Sequence, residues 1–333
     1  MTSTPRGSLP GQGGQPLVSV ILPTFNRLQY LPAAIESVFS QTFQEWELLI
    51  ADDGSGGQTR AYLKEVQQRP RVKVIWLPRM ANPGAARNAA LCEARGAYIA
   101  FLDSDDLWFP SKLEAQLALH SGADCEWSYT EYVSIDHAGK SIDARRNPQR
   151  VLYEGRIVEP LLQLKSGIAM PTVMVRRELL ERVGGFDEHQ GLHEDYDLWL
   201  RLALLAEVGV LRCPLAYVRT HAEHFSTDGI RNFQARSRVF AKLQAVVTDR
   251  RQAAVLRVAR ARNDTALAVA NAVAGNSSAA WRALADGWRY SWRCRDWWSG
   301  CGRAVAHLVL PARLAAQLRR RRESARRRAA VRT

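Results

Sequence analysis

Three carboxylates lie within a stretch of four residues, at Asp103, Asp105 and Asp106. They follow the apolar run 97–102, which predicts a buried strand. Acids this close repel one another, so a cation, a helix N-terminus or solvent must offset the repulsion. Two carboxylates with one residue between them can point the same way along an extended segment. They can then hold Mg²⁺ or Mn²⁺ together with a nucleotide diphosphate. Residues 103–106 are called the acid loop. Its D-x-D spacing is a weak motif by itself, because it also occurs by chance.

A second pair of acids, Asp52 and Asp53, follows another apolar run at residues 46–51. In an open parallel sheet, ligands bind beyond the carboxyl ends of the strands. We therefore expect this pair and the acid loop to lie close together on one edge. Asp is also frequent in turns and at helix N-caps, which is the alternative for either cluster alone. Two clusters at one edge favour a functional site.

A regular alternation of strands and helices must position these acids. Strands are predicted at residues 17–22, 46–51, 72–77 and 98–102, with helices between them at 28–40, 58–68 and 84–94. This order predicts an α/β fold with a mostly parallel, doubly wound sheet flanked by helices. Beyond the acid loop we expect helices at 111–119, 172–183 and 195–206, strands at 125–135, 150–158 and 211–217, and a polar loop at 137–149.

Charge divides the chain into two parts. The net charge is +13, yet residues 230–333 alone hold 23 Lys and Arg against 5 Asp and Glu. The rest of the chain is therefore mildly acidic, and its 47% hydrophobic content is ample for a core. We expect a disordered lead-in at 1–16, an α/β domain at 17–229 and a basic helical tail at 230–333.

The five cysteines are odd in number, and no two have C-x-x-C spacing. The pattern predicts neither a disulfide framework nor a zinc site, and it fits a reducing cytoplasm. The lead-in lacks the apolar core of a signal peptide. No run of about 20 apolar residues occurs, so no membrane span is expected.

Six sequence blocks place the acid loop in a larger pattern. In order they are VSVILPTFNR, QTFQEWELLIADDGS, NPGAARNAAL, GAYIAFLDSDDLW, VGGFDE and HEDYDLWLRL. Together they closely resemble the family 2 glycosyltransferases, from about Val18 to Ser226. The resemblance implies a GT-A fold and an inverting, metal-dependent sugar transfer from a nucleotide-diphosphate donor. Residues 17–108 would form the nucleotide-binding half and residues 109–229 the acceptor half.

The resemblance also implies roles for individual residues. Asp195 would be the catalytic base, and Glu194 would orient it or contact the acceptor. Asp105 would be the principal metal ligand, joined by Asp103 and by His221. Asp103 would also face the ribose and diphosphate, and Asp53 would bind the base edge. The nucleotide-sugar contacts would be Pro23, Thr24, Asn26, Arg27, Asp53, Asn82, Arg87, Asp103 and Ser104.

The chemistry of inverting transfer agrees with one base and one metal site. A single carboxylate takes the proton of the acceptor hydroxyl, and a metal neutralises the leaving diphosphate. Four residues also have structural interpretations. Asp195 fits a helix N-terminus stabilised by the helix dipole, and His221 fits a surface histidine after a strand. Trp199 fits either a core position or a platform for a sugar ring, and Arg201 is expected to pair with a carboxylate.

The basic tail contains half of the ten tryptophans, between residues 281 and 298. Drawn as a helix, Trp281, Leu284, Trp288 and Trp292 share one stripe, with arginines beside it. Tryptophan and arginine together predict an anionic membrane surface as partner, and the arginine clusters at 319–322 and 326–328 add to this. The protein would then be cytoplasmic and peripheral on the membrane. A helical appendage packed on the α/β domain is the alternative. Nucleic acid is not expected, because the α/β half offers no nucleic-acid chemistry.

Two other functions compete with sugar transfer. A nucleotidyltransferase would place a Gly-rich phosphate loop after the first strand, where this chain has residues 23–27, PTFNR. A non-catalytic saccharide-binding module would not need both Asp105 and Asp195. We therefore predict transfer from a nucleotide sugar, with a UDP-sugar favoured, to a saccharide or lipid-linked acceptor in surface polysaccharide or glycoconjugate synthesis. Residues 137–149 match none of the six blocks. Because segments of this kind usually decide which acceptor is used, the identity of the acceptor is left open.

Overall fold

The computed structural model describes residues 16–123, 125–142, 151–220 and 229–309. The chain divides into two compact units between residues 224 and 225. His221, residues 143–149 of the predicted polar loop and the arginine clusters beyond residue 318 lie outside the described residues, as does the lead-in up to residue 15.

The first part of unit 1 is the predicted α/β alternation. Its strands are β1 Val18–Thr24, β2 Trp46–Asp52, β3 Val72–Trp76 and β4 Tyr98–Phe101, and its helices are α1 Leu31–Phe39, α2 Gly57–Val66 and α3 Pro83–Leu91. The strands pair in parallel in the order β3-β2-β1-β4. Strands β2 and β4 are buried along their whole length, as expected for strands covered on both faces. The α/β prediction is confirmed.

The second part of unit 1 makes the sheet mixed. It consists of β5 Leu107–Trp108, α4 Lys112–Ala123, β6 Trp127–Ile135, α5 Val158–Leu162, β7 Met174–Arg176, α6 Arg177–Arg182, α7 Glu194–Leu205 and β8 Val208–Arg219. Among the described residues the full strand order is β3-β2-β1-β4-β7-β6-β8-β5. Strand β7 runs antiparallel to β4 and β6, β5 runs antiparallel to β8, and β6 runs parallel to β8. The two-residue strand β5, directly after the acid loop, was not predicted.

The strand predicted at 150–158 is wrong. Between residues 151 and 157 the chain makes a single bridge, from Gly155 to Val208, and α5 begins at Val158. Gly155 has a positive φ of 76°, which lies outside the extended region and interrupts a strand.

The helix predicted at 172–183 is correct only in its second half. Residues Met170–Thr172 form a 3₁₀ turn, β7 covers Met174–Arg176, and the helix is limited to α6. Val173, Met174 and Val175 are fully buried. A short apolar run fits a buried strand as well as a helix, and here pairing with both β4 and β6 favours the strand.

Helix α4 carries a lysine into the core of unit 1. The side chain of Lys112 is fully buried, its Nζ donates to Gln116 Oε1 at 2.6 Å, and it lies 4.2 Å from the centre of the Trp108 ring. Burial lowers the pKa of Lys112 to about 7. The network continues from Gln116 Nε2 to Ser128 Oγ at 3.0 Å. Lys112 therefore changes its charge near neutral pH.

Unit 2 is helical over its described residues, as predicted for the tail. It comprises α8 Gly229–Val246, α9 Arg250–Val273, α10 Ser277–Ser291 and α11 Arg295–Val309. Helices α9 and α11 approach closely at Gly300, where an added Cβ would lie 2.3 Å from Thr265 Cβ. None of the described helices has both the length and the apolar character needed to cross a membrane.

Candidate functional site

The predicted acids follow strands whose carboxyl ends share one edge of the sheet. Strand β1 pairs in parallel with both β2 and β4, with Thr24 opposite Asp52 and Ile21 opposite Phe101. Asp53 therefore follows β2, and the acid loop follows β4, at the same edge. The topology places the two clusters on the edge at which open α/β sheets bind ligands.

Arg87 of α3 joins the acid loop to the first turn of α7. Its Nη2 donates to Asp103 Oδ1 at 2.7 Å, and its Nη1 donates to Glu194 Oε1 at 3.0 Å. The side chain of Arg87 is only 6% exposed. Burial alone would lower the pKa of Arg87, but the charges of Asp103 and Glu194 raise it overall. Arg87 is therefore a permanent cation between the predicted donor side and the predicted base.

Glu194 and Asp195 begin α7, which puts two carboxylates at the positive end of the helix dipole. The N–H of Tyr196 donates to Asp195 Oδ1 at 2.6 Å. Burial raises the pKa of Asp195, and Asp103 adds to the rise, while Arg87 opposes it. Burial and the charge of Asp195 likewise raise the pKa of Glu194. A carboxylate with a raised pKa accepts a proton more readily, as a general base must.

The second half of the acid loop is held by Arg219, at the end of β8. The N–H of Arg219 donates to Asp106 Oδ1 at 2.7 Å, and its Nε donates to the carbonyl oxygen of Asp105 at 2.8 Å. Burial, with the charges of Asp103 and Asp105, raises the pKa of Asp106 well above its ordinary value. Asp106 does not begin a helix, since β5 follows it and α4 starts only at Lys112. It is a buried acceptor that ties the acid loop to β8.

Asp52 and Asp53 differ in their surroundings. Asp53 accepts a bond from the guanidinium of Arg79, from the N–H of Met80 at 2.6 Å and from the N–H of Ala81 at 3.0 Å. Among the described residues, the Oδ2 atom of Asp52 and the Oγ1 atom of Thr24 are buried and have no hydrogen-bond partner. The carboxylate of Asp53 thus organises the loop after β3.

The loop after β1 holds the remaining nucleotide-side residues. Asn26 accepts from the N–H of Gly56 at 2.9 Å through Oδ1, and its own N–H donates to Ser55 Oγ at 2.9 Å. Asn26 and Arg27 are exposed, and Pro23 is half-buried. Asn26 has a φ of 49°, a left-handed conformation that Asn tolerates better than most residues. These bonds join the loops that follow β1 and β2.

Helix α3 positions both Arg87 and the segment that leads to α7. Asn82 caps the helix by accepting from the N–H of Ala85 at 3.2 Å, and its Nδ2 donates to the carbonyl of Glu188 at 2.7 Å. Asn88 bonds both main-chain groups of Phe186, through Nδ2 at 2.8 Å and Oδ1 at 2.9 Å. The Gly184–Glu188 turn is therefore held against α3, which places Glu194 near Arg87.

Two sequence assignments are decided by packing. Trp199 is 2% exposed and stacks on Trp127, with ring centres 6.1 Å apart, so it is a core residue. Arg201 pairs with Asp197 at 2.8 Å, as expected, and also donates to the carbonyl of Gly185 at 2.8 Å.

The role of Arg219 in holding the acid loop was missed in the sequence, because its partners are mostly main-chain atoms and no residue type marks them.

A hard divalent cation fits the acid loop. Asp103 and Asp105 offer carboxylate oxygens in half-buried positions, next to the buried hydroxyl residue Ser104. Among the described residues, no three His, Cys, Asp or Glu side chains are grouped to enclose a metal by themselves. Mg²⁺ sites often use one or two carboxylates and complete their ligands with water and substrate phosphates.

Unit 2 carries a separate candidate surface, the indole face, made by four tryptophans that are about half exposed: Trp281, Trp288, Trp292 and Trp298. Trp288 lies at its centre, with ring centres 6.4 Å from Trp292 and 5.5 Å from Trp298. The Trp298 Nε1 donates to the carbonyl of Trp292 at 2.8 Å, which joins α10 to α11. Of the predicted stripe, the three tryptophans are exposed, whereas Leu284 is buried in the core of unit 2, and Trp298 of α11 widens the exposed face.

Comparison with known proteins shows that the sequence of unit 1 matches a protein family. Residues 19–184 match the family model described as glycosyl transferase family 2. A protein of Rickettsia felis named an uncharacterized glycosyltransferase is 35% identical over 202 residues, which are 61% of this chain and 33% of that protein. The chain thus spans about a third of the length of this relative.

A second relative and a solved structure have lengths closer to that of the chain. WfgD of Escherichia coli, named UDP-Glc:alpha-D-GlcNAc-diphosphoundecaprenol beta-1,3-glucosyltransferase, is 34% identical over 200 residues, covering 59% of this chain and 74% of WfgD. The mannosyltransferase PcManGT from Pyrobaculum calidifontis, in complex with GDP-Man and Mn²⁺, aligns with a TM-score of 0.59 at 19% identity. That alignment covers 89% of this chain and 86% of PcManGT, and it is a likeness of fold.

Proposed function

Because the chain belongs to glycosyl transferase family 2, we propose that it transfers a sugar from a nucleotide-diphosphate donor to an acceptor hydroxyl, with inversion. One observation carries the proposal beyond family membership. Buried Arg87 binds Asp103, in the acid loop, and Glu194, directly before the predicted base Asp195. The same buried cation thus binds a residue of the predicted donor site and the residue next to the predicted base.

Asp195 is the proposed general base. Inverting transfer needs one carboxylate to take the proton of the acceptor hydroxyl as that oxygen attacks the anomeric carbon. Burial raises the pKa of Asp195, which strengthens it as a proton acceptor. Glu194 is bound by Arg87, so its proposed role is to hold the first turn of α7 in place.

Asp105, Asp103 and His221 are the proposed holders of Mn²⁺ or Mg²⁺. The oxygen-rich acid loop and the Mn²⁺ in the PcManGT complex support this choice. When bound, the cation neutralises charge on the departing nucleotide diphosphate. Arg87 and Arg219 keep the acid loop in place through their bonds to Asp103, Asp105 and Asp106.

The proposed donor is a UDP-sugar, and the proposed acceptor is a saccharide or lipid-linked saccharide of a surface polysaccharide or glycoconjugate. The name of WfgD, with UDP-Glc and a diphosphoundecaprenol acceptor, supports both choices. The nucleotide would be bound by the end of β1 and by the loops after β1, β2 and β3, through the residues predicted from sequence: Pro23, Thr24, Asn26, Arg27, Asp53 and Asn82.

A donor-hydrolysis screen tests this function. The full chain is incubated with UDP-, GDP- and dTDP-sugars and either Mn²⁺ or Mg²⁺, and release of the nucleoside diphosphate is measured. We expect metal-dependent release from a UDP-sugar and little from the other donors. Release of a sugar 1-phosphate would instead indicate transfer of the nucleoside monophosphate, as in a nucleotidyltransferase. Binding of a saccharide without turnover of any donor would indicate a non-catalytic module.

We further propose that the protein is cytoplasmic and peripheral, and that the indole face binds an anionic membrane. Indole rings are favoured at headgroup depth, where the ring is apolar and its N–H meets water. Exposed arginines border the face at residues 282, 289 and 293, and each cation near an anionic surface adds about 1 kcal/mol of attraction. Aromatic insertion and cationic attraction together support stable attachment.

Flotation with anionic and neutral liposomes tests the membrane proposal. A variant with serine at 281, 292 and 298 should stay at the bottom of the gradient, whereas wild type floats with anionic vesicles. Tyr290→Ser is the matched control, because Tyr290 is 38% exposed but lies on the opposite side of α10 and stacks under Arg260 at 3.8 Å. Wild-type protein that fails to float with either vesicle would overturn the membrane assignment without affecting the donor screen.

A further inference from the structure

Arg219 is a buried cation whose side chain donates to main-chain carbonyls. It is 6% exposed, and its Nε donates to the carbonyl oxygen of Asp105 at 2.8 Å. Its Nη1 donates to the carbonyls of Asp136 at 2.8 Å and His137 at 3.1 Å. One guanidinium thus joins the acid loop to the turn that follows β6.

The acid loop is held at two consecutive residues by the same arginine. The side chain of Arg219 fixes the carbonyl of Asp105, while its main-chain N–H fixes the carboxyl of Asp106 at 2.7 Å. Immediately afterwards, β5 pairs with β8, with Leu107 opposite Tyr217. The main chain is thus fixed directly after the Asp105 Cα, and the N–H of Asp106 donates back across Asp105 to the carbonyl of Asp103 at 3.1 Å, so the direction of the Asp105 side chain is restrained as well.

A lysine at this position would keep the main-chain bond to Asp106 but could not reproduce the side-chain contacts. Arg219 spreads its donors over three carbonyls in a planar fork, and the guanidinium also lies 4.5 Å from the centre of the Tyr30 ring. A lysine ammonium is a compact point charge without this planar geometry. The arrangement depends on the shape of arginine as well as on its charge.

We propose that Arg219 is a positioning residue that sets the acid loop for the divalent cation. The inference rests on the proposed metal-dependent function. Arg219 acts through the Asp105 carbonyl and the Asp106 carboxyl, so the loop holds its ligating direction before any ligand arrives. Partners that orient a metal ligand commonly change metal affinity when they are removed.

The opposite effect is expected if the charge of Arg219 matters more than its geometry. A cation beside the acid loop repels a divalent cation, so removing it would tighten metal binding. Positioning predicts weaker binding after removal. The sign of the change therefore distinguishes the two roles.

Hydrogen exchange in the metal-free full-length protein is the first test. Arg219→Lys and Arg219→Gln should speed amide exchange in a peptide covering residues 103–108, while the core strand β2 exchanges as in wild type. Arg212→Gln is the matched control, since Arg212 lies on the same strand with its side chain 60% exposed. Variants whose circular dichroism matches that of wild type and whose acid loop exchanges at the wild-type rate would overturn the proposal.

Calorimetric titration with MnCl₂ in the presence of UDP is the second test. Both Arg219 variants should bind Mn²⁺ about 10- to 100-fold more weakly, and Arg212→Gln should match wild type. Unchanged or tighter binding in the variants would overturn the positioning role. If wild type binds no Mn²⁺ with UDP, the proposed metal dependence fails, and the exchange experiment still decides whether Arg219 orders the loop.

Discussion

Arg87 Nη1 lies 3.0 Å from Glu194 Oε1, although the two residues are 107 positions apart in sequence. The same guanidinium binds Asp103 at 2.7 Å. The repulsion among acids at this edge is thus offset in part by a buried protein cation. The acid loop and the start of α7 cannot move independently without breaking one of these bonds.

Arg87→Met should destabilise unit 1 by about 3 kcal/mol, because it leaves two carboxylates beside each other without their cation. Urea unfolding followed by circular dichroism measures this loss. Replacing the two unpaired acids with amides, by Asp103→Asn and Glu194→Gln in the Arg87→Met background, should restore part of the lost free energy of unfolding. The control is Arg182→Met, whose ion pair with Glu126 is half-exposed and should contribute less than about 1 kcal/mol. Equal losses in Arg87→Met and Arg182→Met would contradict the prediction.

Asp195→Asn should lower the rate of transfer by about 100-fold or more, because the amide cannot take the acceptor proton. Donor affinity, measured by titration with UDP, should change little. In wild type, the rate should fall as the pH drops through the pKa of Asp195, since only the deprotonated carboxylate acts as a base, and burial moves this fall to a higher pH. Glu178→Gln, at an exposed acid in the first turn of α6, should leave the rate unaltered. Full activity in the Asp195→Asn enzyme would remove Asp195 from the mechanism.

Lys112 should make the stability of the protein depend on pH above neutrality. Its folded pKa is about 7 against an ordinary value of 10.5, so between these values the unfolded chain holds a proton that the folded protein has released. The free energy of unfolding should therefore rise with pH, by about 1.4 kcal/mol per pH unit in this window. Urea unfolding between about pH 7 and pH 9 measures the slope.

Lys112→Met should remove that slope and stabilise the protein most at the acidic end of the window. Lys64→Met, at an exposed lysine of α2, should keep the wild-type slope. A methionine variant at position 112 with the wild-type pH dependence would show that another group is responsible.

Two glycines of α11, two positions apart, should respond oppositely to alanine. At Gly300 the new Cβ would overlap Thr265, so Gly300→Ala should destabilise unit 2 by about 1 to 3 kcal/mol. At Gly302 an added Cβ meets no atom of the described residues within 4 Å, so Gly302→Ala should stabilise the exposed helix by about 0.5 to 1 kcal/mol. Thermal unfolding of both variants measures the difference, and similar melting temperatures would contradict the close packing of α9 on α11.

The parallel half of the sheet could be predicted because its signals are local. Each strand is a short apolar run, and each helix has its own periodicity. The acids come directly after strands whose carboxyl ends share one edge of the sheet, so their position could be predicted as well. The segment around β7 could not be assigned in this way. Val173 to Val175 are buried between β4 and β6, and only the completed sheet decides that they form a strand.

The partners of buried charges were also beyond the reach of sequence patterns. Arg219 binds the carbonyls of Asp105, Asp136 and His137, and any residue type could supply such a carbonyl. Arg87 was expected near the donor, but its bond to Glu194 depends on how α3 holds the Gly184–Glu188 turn. Long-range contacts of this kind follow from the tertiary fold.

The bond from Arg219 to Asp106 also orders events during protein synthesis. Asp106 leaves the ribosome 113 positions before Arg219, whose N–H donates to it, and this interval is roughly 6 to 23 seconds at ordinary rates of elongation. Through that interval, the nascent chain holds its clustered acids without their final partner. Burial of Asp106 must therefore wait until β8 has been made. The edge of the sheet that carries the acids should be the last part of unit 1 to become resistant to protease on the translating ribosome.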